Sequence, residues 1–147
     1  MKTLLHASAG MFSMLFLFVS FVVTIVAAFF YLPQDIIASQ QAILQAIWVY
    51  FFFLLTAASI GLWLSKGRKE RIVVVKKRRM LIILILSVFG LLPSVYLLAS
   101  QSIGWEGGII FFSIQAFELT VSAMLMMLLG LNVLDGLKLT ANASAAS

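Results

Sequence analysis

Four apolar runs, 7–32, 42–64, 80–100 and 108–131, take up most of this chain, and only one charged residue lies inside any of them. A bilayer core of roughly 30 Å needs about 20 helical residues at about 1.5 Å each, so every run is long enough to span it. Backbone polar groups in lipid must be satisfied within the segment, and the runs lack the alternation of a barrel strand. Helices are the expected element. With 63% hydrophobic and 10% charged residues most soluble classes are excluded, and four expected spans in 147 residues leave no room for a separate soluble domain. The expected fold class is all-α: a polytopic membrane protein, an antiparallel four-transmembrane-helix bundle over 1–139 with a flexible tail at 140–147.

Charge sets the expected orientation. Lys66, Arg68, Lys69, Arg71, Lys76, Lys77, Arg78 and Arg79 crowd the connection 66–79 between the second and third runs, and they are eight of the ten basic residues. Lys2 and Lys138 fall on the same side as that basic loop in a four-span arrangement, whereas the two opposite connections carry only Asp35 and Glu106. The positive-inside rule then makes both termini cytoplasmic and argues against a dual-topology dimer, whose loops need nearly balanced charge. Ala7-Ser8-Ala9 resembles a signal-peptide cleavage site, but it precedes the apolar run instead of following it, so that run reads as a retained first span. Tyr31, Trp48, Tyr50, Tyr96 and Trp105 are expected near the outer ends, and Trp63 near an inner one, as interfacial anchors. Pro33 is expected to end the first helix in a connection 33–41, and Gly and Ser in 101–107 mark a second short connection.

In a soluble chain Lys76-Lys77-Arg78-Arg79 would suggest nucleic-acid binding. Beside a membrane the same charges set topology and attract anionic head groups at about 1 kcal/mol per residue, so anionic lipids are the expected partner and no nucleic acid is. The β-branched stretch Ile72–Val75 inside this segment is suited to the interface or to a partner. Helix seams are expected where small residues recur every three or four positions: Ser13, Ser20, Thr24 and Ala27; Ala57, Ala58 and Gly61; Ser87, Gly90 and Ser94. Pro93 is expected to bend the third helix or free a carbonyl.

Glu118 is the one ionisable residue deep within a run. A charge there costs roughly 2.5–3.5 kcal/mol for comparable side chains, against about 0.3–0.6 returned by each Leu, Ile, Phe or Val. The twelve such residues in 109–131 carry the helix in regardless, so insertion does not explain why the carboxyl is there. Gln115, Glu118 and Ser122 share a face at spacings of three and four and form a polar stripe suited to the bundle interior. Two roles fit: a neutral acid donating a hydrogen bond between helices, or a proton- or cation-coupling site.

The absence of cysteine removes disulfide, thiolate-metal and CxxC chemistry. The single histidine, His6, cannot make an intramolecular bis-histidine haem site; a His/Met set with Met80 or Met127 is chemically conceivable, though methionines in apolar helices usually fill gaps. No GxSxG, P-loop or carboxylate pair is present, which argues against a hydrolase or nucleotide enzyme. The segments Leu4-Leu5-His6-Ala7-Ser8-Ala9-Gly10 and Gly61-Leu62-Trp63-Leu64, with Lys77 before the third run, resemble small four-span bacterial families. These are the SirB-like proteins, the copper-resistance-D-like proteins and the HemJ-type protoporphyrinogen oxidases. The resemblance implies a shared helical bundle and, at His6 alone, haem or metal handling; the further histidines of the haem-binding members have no counterpart, so enzymatic activity is not carried over. The expectation is a non-enzymatic bacterial inner-membrane protein without cofactor, an accessory, assembly or scaffold subunit that associates with other membrane subunits or itself. The alternatives are a small oligomeric proton- or cation-coupled transporter or channel using Glu118, and porphyrin handling through His6.

Overall fold

The computed structural model describes residues 2–30, 33–67, 70–100 and 108–145, with side chains over 5–30, 35–67, 70–100 and 108–136. It is all-helical: α1 (Lys2–Phe30), α2 (Pro33–Leu64), α3 (Arg71–Leu86), a π-helical turn (Ser87–Leu91), α4 (Leu92–Ala99) and α5 (Ile109–Ala145). With α3, the π turn and α4 counted as one rod, four helices are long and apolar enough to cross a membrane.

Each helix buries a narrow stripe. On α1 it runs Ser13, Leu17, Ser20, Thr24, Ala27; on α2, Ile36, Gln40, Ile43, Ile47, Tyr50, Leu54; on α5, Phe111, Gln115, Glu118, Ser122, Leu125, Leu129, Asn132. The steps of mostly three and four alternate as in the seam of a left-handed coiled coil, which suits long, nearly antiparallel helices. The stripes contain most of the buried polar side chains, while Phe12, Phe18, Trp48, Phe52, Phe89, Phe117 and Met127 stand exposed outside. Such a polar interior under an apolar exterior is the pattern of a bundle whose solvent is hydrocarbon.

α1 packs against α2 and α5, and the third rod packs against the same two, so α1 faces the third rod, and α2 faces α5, across the diagonals. Neighbours are antiparallel, as His6 against Ala57, Tyr50 against Ser87 and Arg79 against Asp135 show. The core has two parts. A large apolar layer includes Leu17, Ile47, Tyr50, Leu54, Ile83, Val95, Val121 and Leu125; a smaller one near the end remote from the basic residues holds Ala27, Ile36, Leu98 and Phe111.

The helix ends depart from the sequence expectations. Pro33 begins α2 instead of merely ending α1, because the first turn of a helix has no use for the missing N–H. The basic segment is not a loop throughout: Arg71–Arg79 are the opening turns of α3, where Val73 is buried and Val74 and Val75 are exposed. Gly67, at φ 84°, supplies the left-handed residue that stops α2 and turns the chain toward α3. The backbone of α5 is helical through Ala145, beyond the expected start of the tail; Ala141, Ala143 and Ala145 are strong helix formers. Tyr50 is no interfacial anchor: it is wholly buried at mid-bundle, its hydroxyl 2.7 Å from Ser87 Oγ. Trp48, Trp63 and Tyr96 are exposed, and Tyr31, Trp105, Glu106 and the connection 101–107 lie outside the described residues. Pro93 follows the π turn, and Ser94 Oγ bonds back to the carbonyls of Gly90 and Leu91 at 2.9 Å.

Candidate functional site

Glu118 is placed by two turns of helix: α5 begins at Ile109, and the stripe of threes and fours turns residue 118 to the bundle axis. It is 1% exposed. Its two oxygens meet two other helices. Thr24 Oγ1 of α1 donates to Oε1 at 3.4 Å, and Gln40 Nε2 of α2 donates to Oε2 at 3.0 Å. Gln40 Nε2 also donates to Thr24 Oγ1 at 3.3 Å, which closes a ring of four polar atoms. The Gln40–Glu118 bond crosses the diagonal between α2 and α5, whose backbones do not otherwise approach each other. Above and below, the ring is flanked along the stripes by the small apolar cluster and the large one, so it is sealed at both ends of the bundle axis.

The sequence-predicted stripe is all buried, with Gln115 at 3%, Glu118 at 1% and Ser122 at 2% exposure. Glu118 thus meets side chains of two other helices, the interhelical contact that a polar residue on this stripe requires. Two buried atoms have no hydrogen-bond partner among the described residues: Gln40 Oε1, on the amide that holds the carboxyl, and Gln115 Nε2, one turn away along α5. Gln40 escapes a reading of the sequence that starts the second span at residue 42. The signal that finds it is the spacing, since stepping back from Tyr50, Ile47 and Ile43 by three lands on Gln40.

At the other end the basic residues divide. Arg79 Nη1 bonds Asp135 Oδ2 at 2.8 Å and Asn132 Oδ1 at 3.1 Å, an ion pair with side chains 16% and 20% exposed. Lys76 turns the same way: a Cβ on Gly136 would stand 3.2 Å from its Nζ. Arg71, Arg78 and Lys66 are exposed and Lys77 is half-buried; Arg68 and Lys69 lie outside the described residues. Asp135 was missed because it lies beyond the expected end of the span, yet it follows Asn132 by three on the buried stripe.

His6 is half-buried, with Nδ1 2.8 Å from the Ala57 carbonyl oxygen. Its ring lies in a notch made by Gly61, where any Cβ would come within 2.8 Å of Cε1. The glycine thus permits α1 and α2 to close over the imidazole. Among the described residues no three His, Asp or Glu side chains gather as a metal site.

The class so defined is an all-helical bundle of four potential spans with a sealed carboxyl–amide–hydroxyl ring on its axis and an ion pair at its basic end. No family model matches the chain, and neither a curated protein nor a solved structure matches it.

Proposed function

We propose that the chain is a non-enzymatic integral membrane protein, an accessory, assembly or scaffold subunit of a larger complex, seated in a bacterial inner membrane with both termini cytoplasmic. The observation that supports this most is where the polar groups are. Thr24, Gln40, Tyr50, Ser87, Glu118 and Asn132 are occupied with one another and with neighbouring helices, while large apolar side chains face outward along the bundle. Such a surface offers lipid, or an apolar helix of another subunit, a continuous contact. The positive-inside bias supports the orientation, and Arg71, Arg78 and Lys66, left exposed, are the groups available to anionic lipid.

Affinity purification from the native membrane in mild detergent tests the reading. A stoichiometric set of membrane subunits should co-purify; a chain recovered alone, and monomeric, would leave the subunit role without support. Reporter fusions after Asp35 and Glu106 should read external, and fusions at Lys66 and after Lys138 cytoplasmic. A second reading, a proton- or cation-coupled carrier using Glu118, is favoured by one observation, the unpartnered amide oxygen beside the carboxyl.

A further inference from the structure

The geometry points to a binding site for one monovalent cation of sodium's size at the ring formed by Thr24, Gln40 and Glu118.

Charge comes first. The partners of Glu118 are an alcohol and an amide and bring no positive charge. No Lys, Arg or His occurs in 20–45 or 92–118, the stretches that make up this half of the bundle. Asp135, the other buried-stripe carboxylate of α5, has Arg79. An ionised Glu118 sealed here needs a counter-charge, and one positive charge neutralises it where two would leave an excess.

Geometry supplies the site. The ring atoms stand 3.0, 3.3 and 3.4 Å apart along its three hydrogen bonds. Oxygens about 3.3 Å apart are at the mutual spacing of neighbouring ligands held about 2.4 Å from a hard cation of calcium's radius, which is close to sodium's. Potassium is larger and would need a wider ring. Three of the four atoms are oxygens already. The fourth, Gln40 Nε2, shares its amide with the oxygen that has no partner, and turning that amide about its last bond brings Oε1 into the ring. The ligand set is then a carboxylate, an amide oxygen and a hydroxyl from three different helices. A water completing the shell would accept a hydrogen from Gln115 Nε2, the other unpartnered atom.

This site stands whether the bundle is a scaffold or a carrier: in the first the ion ties α1, α2 and α5 together, in the second it moves. The test uses the full chain purified in detergent and exchanged into buffers of equal ionic strength containing sodium, potassium or N-methylglucamine chloride. Sodium should raise the Tm by about 5 °C or more over N-methylglucamine, saturably, and potassium by clearly less. Equilibrium binding of radioactive sodium should approach one ion per chain. Thr24→Val keeps the shape of the side chain and removes one ligand, so it should fold and bind sodium at least tenfold more weakly; Asn132→Ala, at the other end, should keep wild-type sodium affinity. Equal stability of the wild type in all three salts with no bound sodium, the result expected if a proton alone neutralises Glu118, would overturn the proposal. So would unchanged sodium affinity in Thr24→Val. Neither result bears on co-purification, so this inference and the subunit reading fail separately.

Discussion

Glu118 and Asp135 lie on the same face of α5, seventeen residues or about 25 Å apart, and are held in opposite ways. Asp135 sits where the bundle meets its basic segment, is one-fifth exposed, and takes the Arg79 guanidinium at 2.8 Å, which also donates to Asn132 Oδ1 at 3.1 Å. Glu118 is 1% exposed and takes only uncharged donors. The difference follows from depth. Near the helix ends an arginine can keep part of its side chain in the polar zone while pairing with a carboxylate. On the axis of the apolar half, a second long charged side chain would have to be desolvated as well, and small polar groups on neighbouring helices are the less costly partners. The basic end is thus held by charge and the opposite half by an uncharged network.

The largest effect expected from breaking this contrast is at Glu118→Leu. It removes the acceptor of the Thr24 hydroxyl and one of the two acceptors of Gln40 Nε2 inside a sealed layer, where an orphaned polar group costs about 1–3 kcal/mol, and should lower the thermal stability of the purified protein accordingly. Gly61→Ala comes next. The new methyl meets the His6 ring at 2.8 Å, and both α1 and the histidine must shift, at about 1–3 kcal/mol for overpacking. This loss should be relieved in the double variant with His6→Ala, which empties the notch. Asp135→Asn should cost less, about 1 kcal/mol, because the pair is partly wet and Asn132 remains to hold Arg79. The smallest effect is expected at Tyr50→Phe, which removes one hydroxyl bond to Ser87 at mid-bundle and should cost about 0.6 kcal/mol in a chemical unfolding titration.

The bundle itself was legible because hydrocarbon imposes its requirement on runs of sequence, and runs of that length and composition have one solution. The inward face of Glu118 was legible too, since Gln115 and Ser122 repeat at helical spacing. The partners were not. Gln40 lies in a stretch containing Asp35, Gln34 and Gln41, which reads as a polar connection until the helix is known to start at Pro33. Arg79 and Asp135 are 56 residues apart, and nothing local shows that the opening turns of α3 lie against the end of the α5 stripe. Tyr50 misled for a related reason: its amphipathic ring suits an interface, but Ser87 offers its hydroxyl a partner in the core. Composition marks such groups; only the packing decides what each one meets.

The central claim, that one end is held by charge and the other by an uncharged sealed network, is tested most directly by two double-mutant cycles read against salt. One cycle combines Glu118→Gln with Gln40→Leu, the other Arg79→Gln with Asp135→Asn. Each is measured by unfolding in low and in high choline chloride, whose cation is too large for the ring. The coupling between Arg79 and Asp135 should fall by about half or more as salt screens a partly exposed pair, while that between Glu118 and Gln40 should stay constant. Equal salt sensitivity of the two couplings, or a coupling of zero between Glu118 and Gln40, would contradict the account.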